Sequence, residues 1–451
     1  MRLKNISTHF LASTVLRLIV CFVLDSGVVP VYAIDLTRVD KLVKTKSIEI
    51  KRLKEKVRSA HISISEKRWG FGPTFEISVY HLQTDQAKPI DIGKTASDYQ
   101  ISLSQPLYRA GLWHDHSEAV LNARAVEVQL RELNESLTLK TLLAVLDICR
   151  IRSRLVITGD SRMLVSQAVN VQKQLLQSGY GSRFDLVEAE VELARYQKEY
   201  RELANQLDLK LFELGNISGG KWDMKDFPLI MDPELRPMQD LTSYNVSHWI
   251  ESAYRENSQL QLIQINRELS WISKARVYNS LKPRVNLILS HHQAEEDAFT
   301  RNRVDESSVK LSMSMSFSPV STYYQGQRYD IEENVLKIEA EKVKKDLTHS
   351  IHELLRSIAL TAENVNAQRH WKTKQKMIVE MYRKGLKQKH FPFSRFLDNS
   401  RKYNESQHDL AQAFIDIWED RIRLLHLSGQ LKAEPLIQLA RDFDRISVST
   451  R

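Results

Sequence analysis

The sequence predicts a mainly α fold carrying a β-barrel contribution, built from one plan repeated twice. Three observations carry this: scarce helix breakers, an internal repeat of about 210 residues, and four short stretches that alternate apolar and polar residues. Gly and Pro together make up about 5.5% of the 451 residues, against roughly 12% in an average chain. Residues 112–158, 182–214, 327–384 and 393–428 contain neither. At ~1.5 Å per residue, 327–384 alone would form a rod of roughly 87 Å. A compact catalytic domain has little use for four such segments.

The repeat is read from three landmarks. Pro73 in GPTFEISV returns as Pro283 in KPRVNLIL, 210 residues later, and Leu186-Val187-Glu188 returns as Phe396-Leu397-Asp398 at the same offset. Pro106 in SLSQPL returns as Pro319 in SMSFSPV, 213 residues later. So steady an offset marks a duplication, which precedes any reading of local motifs. The repeats run over 34–218 and 245–430, with a Pro-rich linker at 219–244 and a C-terminal tail at 431–451. Each repeat reads as a helix, two strands and a long helical hairpin, at 112–214 and 327–428.

The strands are expected near 71–83, 98–108, 283–292 and 307–319. Phe75, Ile77 and Val79 alternate with Thr74, Glu76 and Ser78; Tyr99, Ile101 and Leu103 alternate with Gln100, Ser102 and Ser104. Val285, Leu287 and Leu289 continue the pattern, and Val309, Leu311, Met313, Met315 and Phe317 complete it against Ser308, Lys310, Ser312, Ser314 and Ser316. Period two puts each set on one face. Strands of ~9–11 residues with one apolar face can cross an outer membrane in a closed barrel. The same alternation fits a sheet half-buried on a soluble core. Aromatic residues favour the membrane: Trp69 and Phe71 precede the first strand, Tyr108 and Trp113 follow the second, and Tyr323 and Tyr324 follow the fourth, where an interfacial girdle would need them.

The helices carry heptad spacing. Ala119, Ala123, Val126, Leu130, Leu133 and Leu137 advance by alternating steps of 4 and 3, as do Ala189, Leu193, Tyr196, Tyr200, Leu203 and Leu207. Tyr403, Leu410, Phe414, Ile417 and Leu424 hold the phase less strictly. A period of 3.5 keeps a seam on a neighbouring helix and implies left-handed supercoiling. The breaks at Gly179-Tyr180-Gly181 and from Gly385 to Pro392 read as hairpin tips, and lone Gly159 as tolerated within a helix.

The N-terminus reads as a secretory signal over 1–33. Arg2, Lys4 and Arg17 flank an apolar core at Leu18–Leu24, and Val31-Tyr32-Ala33 supplies a cleavage site. Cys21 follows Val20, which does not suit lipidation, so no lipid anchor is expected. Cleavage leaves Cys149 as the one thiol and takes the formal charge from +9 to +7. That charge is spread along helices without a nucleic-acid module, so no nucleic-acid partner is expected.

At these residues the sequence resembles the TolC family of outer-membrane factors, over nearly all of the mature chain. KPRVNLILS looks like the family's proline-led entry into a strand, ISLSQPLYRAGLW like its passage into the long helix, and GYGSRFDLVEAEVELARYQKEY like its first tip. The resemblance implies a homotrimer whose protomers each give four strands to a twelve-stranded barrel in outer-membrane lipid, continued by a helical tunnel across the periplasm. It also implies docking to a periplasmic adaptor (membrane fusion) protein and an inner-membrane pump of RND or ABC type. The tips Gly179, Tyr180, Gly385 and Leu386 are the positions where the adaptor would meet the duct. Asp185 and Asp398 match acidic gate positions, whereas Arg395 stands where another acid is usual. The second tip is enlarged by KQKHFPF and is basic, with Arg383, Lys384, Lys387, Lys389 and Arg395. Asp185 is equally suited to capping a helix N-terminus.

No enzyme, cofactor or metal is expected. GNISGGKW (215–222) has Trp222 where a phosphate-binding loop needs Ser or Thr, and it follows a helix. His114-Asp115-His116, His291-His292 and His352-Glu353 lack converging ligands. The expected function is a passive exit duct of a tripartite efflux system. Type I protein secretion is the alternative within that class, and a periplasmic coiled-coil scaffold the alternative outside it.

Overall fold

The computed structural model describes residues 36–84, 94–231, 246–295, 303–385 and 392–431. The signal segment, half of the linker, Leu386, Lys387, Lys389 and all but the first residue of the tail lie outside them.

Each repeat has two helices before its strands, where one was expected. They are α1 (Leu36–Lys46) and α2 (Ile48–Trp69) in the first repeat, and α5 (Val246–Glu256) and α6 (Ser258–Asn279) in the second. The extra break is set by capping. Ser47 accepts a hydrogen bond from the Ile50 amide at 3.3 Å and Asn257 accepts one from Leu260 at 3.1 Å, each satisfying an orphan donor of the next helix. These caps lie 210 residues apart, so the duplication extends to them.

Strands β1 (Thr74–Thr84), β2 (Lys94–Tyr108), β3 (Arg284–Glu295) and β4 (Arg303–Ser314) form one antiparallel sheet in chain order. The β2–β3 ladder joins the two repeats, with Leu103 opposite Leu289. The first strand begins at Thr74 because a turn with Gly72 N–H donating to the Trp69 carbonyl (2.9 Å) closes α2. The fourth stops at Ser314, short of the expected 319. Pro319 instead opens the next helix, where a missing N–H is harmless. Pro106, which cannot donate to the ladder, coincides with a register shift before Tyr108. There Gln105 Nε2 donates to the Phe71 carbonyl at 2.9 Å.

The hairpins are α3 (Ala110–Gln177) with α4 (Arg183–Ser218), and α7 (Pro319–Gly385) with α8 (Phe393–Leu427). At 68 residues, α3 spans about 100 Å, and it runs through Gly159 against the Tyr200 ring. Helix α4 flanks only its tip-ward half, and α2 and α6 flank the half nearer the sheet. The heptad residues therefore divide. Ala189, Tyr196, Leu203 and Leu207 are buried in the hairpin seam, whereas Ala119 and Ala123 are buried in the half of α3 flanked by α2 and α6. Val126, Leu130, Leu133 and Leu137 are only half-buried in the protomer.

Two cores hold the helices. The larger one lies mid-length, around Trp418, Phe414, Phe227 and Ile230, with Cys149 fully buried among them. Burial pushes the Cys149 thiol up to about 12, so it is an inert apolar filler. The second core sits at the tips, where Val165, Val169, Phe393, Phe396 and Leu397 bind the two hairpins together.

Candidate functional site

Three regions stand apart from ordinary packing: the sheet, its aromatic edge and the hairpin tips.

The register places Phe75, Leu103, Leu289 and Val309 in one cross-strand row, with Ile77 and Ile101 beside them. Val309, Leu311 and Met313 are about 70% exposed, and Phe75, Ile77 and Val79 are more than 60% exposed. The opposite face is polar: Ser290 and Ser308 hydroxyls lie 2.8 Å apart, and His292 Nε2 lies 2.7 Å from Asp98 Oδ1. Among the described residues neither β1 nor β4 is paired on its outer side. Water is a poor neighbour for an apolar face of this size beside two open edges. The strands contain 11, 15, 12 and 12 residues, enough for a tilted crossing that needs ~9–11.

Trp69, Phe71, Tyr108, Trp113, Tyr323 and Tyr324 gather toward the helical edge of this sheet, since Thr74 pairs near Ser104 and Arg284 with Ser314. Phe71 meets Trp113 edge-on at 4.9 Å, and Tyr323 meets Tyr324 at 5.6 Å. Trp69 is 78% exposed. Beneath them His114 contacts Asn279, and Arg276 bridges Asp115 (2.9 Å) and Glu118. These polar residues tie α3 to α6 at the junction. Among the described residues no group of three His, Cys, Asp or Glu is placed to hold a metal.

At the first tip Gly179 takes φ +75°, a left-handed conformation that favours glycine. The Tyr180 amide donates to the Leu175 carbonyl (2.9 Å) and Gly179 to Leu176 (3.1 Å), which closes α3 with a Schellman motif. Gly181, which the sequence marked as part of the tip break but not as a site residue, is the sterically obligate glycine. A Cβ there would fall 2.5 Å from the Leu176 nitrogen. Tyr180 is 69% exposed. Capping of α4 belongs to Ser182, whose hydroxyl accepts from the Phe184 amide at 3.2 Å. Asp185 sits in the first turn, so the capping role expected for it falls to its neighbour.

The second tip differs. Gly385 is the last helical residue of α7 and is buried, and it is not among the positive-φ glycines. Phe393 and Phe396 turn inward, and Arg383 donates to Gln167 Oε1 at 3.1 Å across the tips. Arg395 and Asp398 are exposed on one side of α8. Glu192, which no sequence pattern singled out, is buried and held by Arg195 (2.5 Å) and Arg401 (3.3 Å), joining α4 to α8.

The chain has the fold of the TolC-family outer-membrane channels. It matches CusC with a TM-score of 0.76 at 11% identity, over 88% of this chain and 93% of that one. It matches the outer membrane protein VceC of Vibrio cholerae at 0.74 and 11% identity, over 87% and 96%. The Campylobacter jejuni CmeC outer membrane channel matches at 0.73 and 11% identity, over 92% and 90%. In sequence the chain is similar to the proteases secretion protein PrtF of Dickeya chrysanthemi, 22% identical over 240 residues. That alignment spans about half of each protein, 52% of this chain and 50% of PrtF. No family model matches the chain.

Proposed function

We propose that this chain is the outer-membrane component of a tripartite export system, a passive duct from periplasm to exterior. The observation that carries the reading is the uncovered apolar sheet face with two open edges above a belt of aromatic residues. Three protomers would close these edges into a twelve-stranded barrel, pairing the edge N–H and C=O groups that lipid cannot satisfy. Trp69, Phe71, Tyr108, Trp113, Tyr323 and Tyr324 would lie at the inner membrane–water interface. The long hairpins would continue the barrel as a tunnel.

The tips then face an adaptor, with Gly179 and Tyr180 presented outward, and an inner-membrane pump supplies the energy. The gate is formed by Asp185, Arg395 and Asp398. Among candidate cargoes, protein secretion is favoured by the similarity to PrtF. The reading requires no catalysis by this chain.

Cell fractionation tests it. The chain should stay with the outer membrane through osmotic shock and high salt. Release with the periplasmic fraction would establish the scaffold reading instead.

A further inference from the structure

At each level of the chain the first repeat ends on one flank and the second repeat on the other. In the sheet the flanking elements are β1 and β4. Along the tip-ward half the helices succeed one another as α4, α3, α8 and α7, and nearer the sheet as α2, α3, α6 and α7. Helix α7 therefore lines one flank throughout, while α2 and α4 share the other.

The outer sides of α4 and α7 are apolar. Val187 and Val191 stand two residues either side of buried Ala189, and Leu209 stands two beyond buried Leu207. Met377 and Met381 bracket buried Val379 in the same way, and Leu360 follows buried Ile358 by two. At 3.6 residues per turn a two-residue step rotates a side chain by about 200°, so these residues point away from the chain's own core. All are exposed, Val191 by 64% and Met381 by 59%.

The two sets match in a single antiparallel register. Arg183 opens α4 and Gly385 closes α7, both at the tips. Setting these two level brings Val187 opposite Met381, Val191 opposite Met377, and Leu209 within one residue of Leu360. The flank nearer the sheet matches as well. With Trp69 level with Tyr324 at the sheet edge, exposed Ile62 and Ile331 meet seven residues further along each helix. Beyond them Arg52 and Lys54 come level with Glu341 and Glu339, and none of these four charges has an ion pair among the described residues.

We infer that α7 of one copy packs along its length on α4 and α2 of the next, in the register that pairs Val191 with Met377. The occupant of each flank is thus the other flank of the same chain. A head-to-tail contact of this kind closes into a ring when its rotation allows. It joins the first repeat to the second, as β1 and β4 would be joined in a closed sheet. The inference rests on the duct reading above, which fractionation tests separately.

Cysteine cross-linking in isolated outer membranes reads the register, since Cys149 is buried and inert. Val191→Cys/Met377→Cys should give disulfide-linked products of two and three chains on non-reducing gels. Val191→Cys/Leu360→Cys, displaced by about 25 Å along the helix, should stay as single chains. Val191→Asp should weaken association in mild detergent about tenfold or more, because a carboxylate would be buried, and adding Met377→Lys should recover most of the loss. Chains that reach the outer membrane yet give no linked product from the first pair would overturn the inference. So would linkage of the displaced pair, or normal association of Val191→Asp.

Discussion

Lys402 Nζ lies 2.9 Å from an Asp398 carboxylate oxygen, one turn along α8. Asp398 is thus engaged by Lys402, and Arg395 has no ion pair among the described residues. If the tips form the closed end of a threefold tunnel, an unneutralised Arg395 recurs in every copy around the axis. Charged rings of this kind set the sign of the favoured ion. Arg395→Asp should therefore move the reversal potential in planar bilayers toward cation selectivity. An unchanged reversal potential would place Arg395 off the conduction path.

Gly179 is the clean probe of docking at the tips. Its neighbourhood is open, with nothing within 4 Å of an added Cβ. A bulky residue there costs only the left-handed backbone penalty, about 1–2 kcal/mol. Gly179→Trp should abolish export while the amount of trimer in the outer membrane stays normal. Gly385→Trp is a different experiment: Gly385 is buried at the end of α7, so that variant should lower trimer yield as well. Normal export by Gly179→Trp would remove the first tip from the interface.

The two heptad stretches should respond unequally to charge. Leu203 is 3% exposed within the α3–α4 seam, and Leu203→Asp should cost about 3 kcal/mol or more by burying a carboxylate among apolar groups. Leu130 is only half-buried in the protomer, so Leu130→Asp should cost the protomer distinctly less. Denaturant unfolding of both variants decides this. Equal losses would mean that Leu130 is covered as fully as Leu203.

His408 should make stability fall with acid. Burial, reinforced by nearby Arg154, lowers its pKa to about 4, and neither ring nitrogen has a hydrogen-bond partner among the described residues. The unfolded chain takes up the proton near pH 6.5 while the folded one resists until about 4. Between those values the unfolded state binds more protons, so stability declines as pH drops. His408→Gln should flatten that slope, which across the window amounts to a few kcal/mol. A variant with the same acid slope as wild type would assign it to other groups.

Much of this fold was legible because its regularities are long. Period-two alternation located the strands, and the 210-residue offset read from Pro73 and Pro283 holds also for Ser47 and Asn257, caps that the sequence reading did not mark. Four features escaped. The break between α1 and α2 depends on a single serine, a weak signal inside a helical pattern. Sequence spacing identified the Ala119–Leu137 seam without naming its partner. Only the tertiary arrangement shows α2 and α6 flanking the upper half of a helix that α4 is too short to cover. At the tips the sequence marked glycines without ranking them: φ selects Gly179, backbone contact selects Gly181, and Gly385 is helical. The basic residue Arg395 was readable, but its lack of an ionic partner follows only from Lys402 taking Asp398.

Three copies of the proposed duct would close the open sheet edges into one barrel. Native mass measurement of the chain extracted from outer membranes in mild detergent tests this most directly. A complex of three chains is expected. A species of one chain, folded and stable in detergent, would contradict it.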